Sequence, residues 1–408
     1  MRNILFYTLA KFVPVLVGIL LVPLLVKSLD PTEYGAYYSL NQLFNMLNTI
    51  LLASTMYLQN HYLEKPQLLS VIQMSTLLIA SGLAIIGSFL FYIFFQDFGL
   101  NITVLLLFNL VLFGIYQNKM IILNVSGNAL HYSGGQIIFS LLKLLFIVLF
   151  FAFLPKNFEF VFIGQFISLF IIICYLEFLN KSFKRIPFKE VRYYTIKVLG
   201  FGIILSIIAS SDMVLNFINI LFANQNFNKT QLGIYSANFS ILNMLVVLPP
   251  SILYLPFISK IYTEKKRNNY QGVKILFKQL YIFSFILIIS ILVFLYYFGE
   301  IIIHVAASKS HTENYIDYYL LTFGFALFSF SKIEMLKSQI FNTNKKFLLF
   351  IFLFVLIFTI VVSAFLFGLY QLRGAVISNS LGYLILYLLL VLVNKNIIYT
   401  RGKSRENN

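Results

Sequence analysis

Thr32-Glu33-Tyr34-Gly35-Ala36-Tyr37, leading to Asn45-Met46-Leu47, returns later in the chain as Thr230-Gln231-Leu232-Gly233-Ile234-Tyr235, leading to Asn243-Met244-Leu245. The offset of 198 positions (230 minus 32) is close to half of the 408 residues. Each copy stands at the same place in its half, between the first and second apolar runs. A weaker echo closes the halves, where Gly164-Gln165-Phe166-Ile167-Ser168 matches Gly374-Ala375-Val376-Ile377-Ser378 at an offset of 210 (374 minus 164). Agreement in order and position reads as a duplicated chain. Internal duplication is how many transporters build a central site between two lobes.

Composition fixes the medium. Hydrophobic residues make up 60% of the chain, charged residues 11%, and mean hydropathy is +0.88, too apolar for a water-soluble surface. Runs long enough to cross roughly 30 Å of hydrocarbon begin near residues 4, 34, 68, 102, 136, 158, 195, 232, 274, 315, 347 and 374, twelve in all. Lipid offers no partner to a bare backbone amide, so each is a helix; alternating barrel-type strands are absent. The reading is an all-α polytopic membrane protein, two pseudo-symmetric six-helix lobes around a central cavity. The lobes span residues 1–190, with a cytoplasmic linker from about 180, and 191–408 with a short cytoplasmic tail.

The basic residues orient it. With the amino terminus inside, twenty Lys and Arg fall on the cytoplasmic side, in clusters at Lys181–Lys197 and Lys260–Lys278, against five outside: Lys27, Lys156, Lys229, Lys309 and Arg373. That bias puts both termini in the cytoplasm. The net charge of +16 is therefore a topology signal and an attraction to anionic lipid. It does not point to nucleic acid, because the cations are split over short loops that lack a binding fold.

Polar residues inside the apolar runs carry whatever chemistry exists. On the second run Tyr38, Asn41, Asn45 and Asn48 share one helical stripe. The seventh carries Asp212, Asn216 and Asn219, the eighth Ser236, Ser240 and Asn243, the fifth Gln136, Ser140 and Lys143. In the first, Lys11 shares a face with Pro14 and Gly18. Such stripes also glue helices together at about 0.6 kcal/mol per contact. Four of them, on repeat-related helices, favour a shared hydrated interior. An ionised group at membrane depth costs roughly 3 kcal/mol or more unless it meets water or a partner. Lys11, Lys143 and Asp212 are thus expected to line the cavity, with Lys119 and Lys337 snorkelling from helix ends. Glu334 and Lys337, at i and i+3, are positioned to pair, whereas Lys332 lies on another face.

Catalytic patterns are missing. No His joins Cys or carboxylate at ligand spacing, no phosphate-cradling glycine loop occurs, and neither metal, cofactor nor enzyme activity is expected. The loop-helix start Leu29-Asp30-Pro31-Thr32-Glu33-Tyr34-Gly35, its repeat through Ser236-Ala237, Asp212 in the seventh helix, and Pro249-Pro250 with Pro256 ahead of a basic loop resemble the Wzx-type polysaccharide flippases, over essentially the whole chain. Those transporters share a superfamily with multidrug and toxin extrusion antiporters and lipid II flippases. The resemblance implies two lobes in a V, alternating access, and translocation of an undecaprenyl-pyrophosphate-linked oligosaccharide for O-antigen or lipopolysaccharide-type assembly. Lys11 and Lys143, helped by Lys119 or Lys337, would then attract pyrophosphate, Tyr38, Asn41, Asn45, Asn48, Asn243 and Tyr235 would face sugars, and Asn216 would line the same cavity. Asp212 or Glu334 would serve a coupling proton or sodium ion. Membrane lipids and other polysaccharide-assembly proteins are the expected partners. Met213 follows Asp212, where many relatives carry a basic residue, so a local ion pair is not carried over. The rival readings are a cation-coupled multidrug or small-molecule antiporter of the same fold and, more remotely, a membrane polysaccharide polymerase.

Overall fold

In the computed structural model of the protein, residues 2–61, 68–94, 100–179, 187–209, 211–226, 228–306, 316–341 and 345–406 are described. Among them every regular element is helical: α1 (Arg2–Ser28), α2 (Pro31–His61), α3 (Leu68–Phe94), α4 (Leu100–Val125), α5 (Ala129–Phe153), α6 (Glu159–Leu179), α7 (Phe188–Ala209), α8 (Ser211–Asn226), α9 (Lys229–Leu242), a π-helical turn (Asn243–Val247), α10 (Leu248–Lys266), α11 (Tyr270–Ala306), α12 (Ile316–Ile340) and α13 (Lys345–Glu406). Four of the apolar runs read from the sequence are subdivided or merged here. The seventh is α7 followed by α8, and the eighth is α9, the π turn and α10. The eleventh and twelfth make up α13, which breaks at Gln371 (φ 48°, ψ −123°). Nine stretches among the described residues are long and apolar enough to cross a bilayer, which makes this an all-α polytopic membrane protein.

The duplicated motif turns out to be a helix start. Asp30 caps α2: its Oδ1 accepts from the Glu33 backbone N–H at 2.8 Å and from the Thr32 hydroxyl at 2.6 Å. Asn228 caps α9 in the same way, accepting from the Gln231 N–H at 2.7 Å, while the Gln231 side chain accepts from the Asn228 N–H at 3.3 Å. Asp30 and Asn228 are the N-caps and Glu33 and Gln231 the third helical positions; at α9 the bonds are reciprocal, a capping box that satisfies amides no helix can satisfy for itself. Glu33 departs from its counterpart by reaching across to the Phe158 N–H at 2.9 Å, which ties the start of α2 to that of α6.

The second echo marks where the last two helices of each half touch. A side chain at Gly164 would meet Ile147 of α5 at 3.2 Å, and one at Gly374 would meet the Leu366 carbonyl oxygen at 2.2 Å. At Gly374 the obstacle is backbone, so glycine is required there, whereas at Gly164 it is the Ile147 side chain, which would have to give by a few tenths of an ångström.

The chain forms two compact units, Met1–Phe217 and Ile218–Asn408. The division between these units falls inside α8. The cause is α7, which packs on α2 and α3: Val191 and Val198 are buried, and the Ser75 hydroxyl donates to the Val191 carbonyl at 3.2 Å. In the first unit α1, α4, α5 and α6 close over Ala10, Tyr116, Met120, Tyr132, Leu169 and Ile172. In the second, α10, α11 and α12 close over Tyr254, Ile261, Phe277, Ile333 and Ile340. Large side chains such as Ile85, Phe178 and Phe350 stay exposed on the outer faces, as a lipid-facing surface requires.

Candidate functional site

In the first unit the stripe on α2 grades from buried to half-buried. Tyr38 is enclosed and stacks near Tyr34 (centroids 6.5 Å apart, planes at 20°), while Asn41, Asn45 and Asn48 are half-buried. The Asn48 Oδ1 is itself buried and without a hydrogen-bond partner among the described residues. Beside this stripe a smaller network is purely structural: Asn118 of α4 donates to Thr76 of α3 at 2.7 Å and accepts from Ser54 of α2 at 3.2 Å.

The lysines separate by their partners. Lys119 does not snorkel: it is buried on α4 and forms an ion pair with Glu177 on α6. Lys143 on α5 is half-buried and donates to the neutral side chain of Gln165 on α6 at 2.7 Å. Among the described residues no carboxylate pairs with it. Lys11 lies within α1 and Asp212 within α8, with both side chains outside the described residues.

In the second unit the polar residues knit helices together. Asn219 of α8 donates to Asn379, which donates to the Tyr235 hydroxyl at 2.5 Å; Ser363 donates to the Asn219 Oδ1 at 2.8 Å and lies 2.5 Å from Ser378. Four helix segments thereby share one buried knot. Asn216, one turn earlier on α8 and at the end of the first unit, is buried as well. Asn243, the repeat partner of Asn45, opens the π turn and is half-buried. Such turns carry one extra residue and recur at functional sites. Glu334 is enclosed: Lys337 reaches its Oε1 at 2.9 Å, Tyr281 donates to the same oxygen, and Asn394 donates to its Oε2 at 2.7 Å and its carbonyl at 2.8 Å. Lys337 also lies 4.3 Å from the centroid of the Tyr281 ring, whereas Lys332 sits over Phe328 at 4.7 Å.

The sequence thus singled out Lys143, Glu334 and the Asn219 stripe but not their partners Gln165, Tyr281, Asn394 and Asn379. Signals for two of them were present. Gln165 follows Gly164 in the first copy of the echo, and Asn379 follows Ser378 in the second.

No family model and no curated protein matches this sequence. Solved structures do. An inward-facing multidrug resistance MATE family transporter of the MOP superfamily aligns with a TM-score of 0.68 at 13% identity, covering 97% of this chain and 98% of that one. An outward-facing form of such a transporter gives 0.62 at 14% identity, over 97% and 95% of the two chains. A MATE in the straight conformation gives 0.64 at 13%, over 98% and 96%. At these identities the likeness establishes the fold, and over nearly all of its length this chain has the fold of the MATE transporters of the MOP superfamily.

Proposed function

We propose that the protein is a membrane transporter that flips undecaprenyl-pyrophosphate-linked oligosaccharide units across a bacterial cytoplasmic membrane for surface polysaccharide assembly. The observation that carries this reading is Lys143, an ammonium in a spanning helix that meets a neutral amide instead of a carboxylate. Its charge is incompletely offset. A pyrophosphate supplies the missing counter-charge in a setting of low dielectric, where a charge-assisted contact is strong. The half-buried amides Asn41, Asn45 and Asn48 of the same unit suit sugar hydroxyls, because an amide offers donor and acceptor together. The polyprenyl chain stays in lipid. Asp212 with a proton or sodium ion, and Lys11 as a further cation, complete the proposal, with other polysaccharide-assembly proteins as partners.

The multidrug resistance description of the solved neighbours favours a second reading, an antiporter of small cations. Charge balance favours the first. Among the described residues the intramembrane acids Glu177 and Glu334 are each neutralised by a lysine, so the unbalanced interior charge is positive.

The test is transport of a labelled polyprenyl-pyrophosphate sugar, beside a labelled organic cation, in vesicles containing wild type or Lys143→Gln. Loss of one charge-assisted contact is expected to lower uptake of the lipid-linked sugar about tenfold or more and to leave the organic cation untransported by either protein. Unchanged sugar transport, or robust movement of the cation, replaces the flippase with the antiporter.

A further inference from the structure

Between the end of α10 and the start of α11 lies an open groove of about 460 Å³, lined by Lys260, Thr263, Glu264, Asn269, Ile275 and Gln279 among others. Its charges are not equally available. The Glu264 carboxylate is already held by Arg267 at 3.3 Å and by the Asn269 amide at 2.6 Å. Asn269 in turn accepts from the Gly272 N–H at 2.9 Å, so the α11 terminus is capped from within and offers an anion nothing. Lys265, one turn on, is committed to the Ile340 carbonyl. Lys260 is exposed and in no ion pair among the described residues, which makes it the cation that faces the groove, with the Gln279 amide and the Thr263 hydroxyl beside it.

The groove runs on into lipid-facing surface. Ile275, Gln279, Ile282, Phe283 and Ile286 fall at i, i+4, i+7, i+8 and i+11 of α11, one face of the helix. Ile275, Ile282, Phe283 and Ile286 are 57%, 47%, 52% and 56% exposed. A polar cleft with a free ammonium at the head of an apolar stripe has the two-part chemistry of a phospholipid: charge at one end and hydrocarbon at the other.

We propose that this groove is a binding site for one anionic phospholipid, its phosphodiester against Lys260 and Gln279 and an acyl chain along Ile282, Phe283 and Ile286. The site lies wholly within the second unit and is independent of what the protein carries. Exposed Lys274 and Lys278 on the same turns of α11 raise the local concentration of anionic headgroups, while Lys260 fixes the one that binds.

The experiment uses the full-length protein in detergent, supplemented with phosphatidylglycerol, phosphatidylcholine or inorganic phosphate. Retained lipid is read by native mass spectrometry and melting by a thermal shift. Wild type is expected to retain one phosphatidylglycerol and to melt higher with it than with phosphatidylcholine. Lys260→Gln should weaken that retention about tenfold. Lys395→Gln, an exposed lysine elsewhere, should leave it unchanged and so exclude bulk charge as the cause. Equal melting of all three proteins in phosphatidylcholine verifies that they fold. Undiminished retention by Lys260→Gln, the same loss in Lys395→Gln, or the same stabilisation by inorganic phosphate alone would each overturn the site.

Discussion

Glu334 shows how a single acid is made tolerable at membrane depth. Three donors from three helices converge on its carboxylate, Lys337 of its own helix, Tyr281 of α11 and Asn394 of α13, so neither oxygen is left bare. Removing one partner of a buried ion pair strands the other, at a cost of about 3–5 kcal/mol, whereas replacing both by apolar groups of like volume is often neutral. Glu334→Ala is therefore expected to lower the melting temperature sharply, and Glu334→Leu with Lys337→Met to restore most of it. A double variant no better than the single one would mean that the carboxylate acts other than as a structural anchor. The Lys337 contact was legible because i and i+3 meet on any helix. Tyr281 and Asn394 were not, since nothing local in a sequence says which distant helix will lie opposite. The same gap explains Lys119, whose Glu177 partner sits on another helix and turns an expected snorkel into an interhelical ion pair.

At the scale of elements, the two side-chain N-caps stand at the head of the stretch that the sequence repeats. An N-cap and its third residue form a local grammar, so Asp30 with Glu33 and Asn228 with Gln231 are visible without any tertiary knowledge. Asn228→Ala and Asp30→Ala should each destabilise by about 1 kcal/mol. Glu33→Ala should cost more than Gln231→Ala, because only Glu33 also holds a second helix through Phe158. Thermal melts of the four variants in one detergent decide it, and equal losses for Glu33 and Gln231 would show the cross-helix contact to be idle. The π turn at Asn243–Val247 was not legible. It widens one turn of an otherwise continuous helix, and the apolar residues that fill it have no distinctive pattern.

For the whole molecule, twelve runs were legible because each must cross the same thickness of hydrocarbon. Their even number predicts that reporters fused to the two ends report the same side of the membrane, and the loop charges predict the cytoplasmic side. Opposite-side signals would remove one span from the count. Which helices α7 packs on was not legible, since nothing in its composition tells where it will lean. The cargo was the least legible property, because the amides that glue helices are the same amides that bind sugars. The reversal at Gln371 bears on how the chain is made. Two spans meet there with no intervening loop, and a side chain at Gly374 would strike the Leu366 carbonyl, so the arms run close together beside the break. The ribosome delivers the two spans in sequence, and with no loop between them the membrane must accept them as a pair.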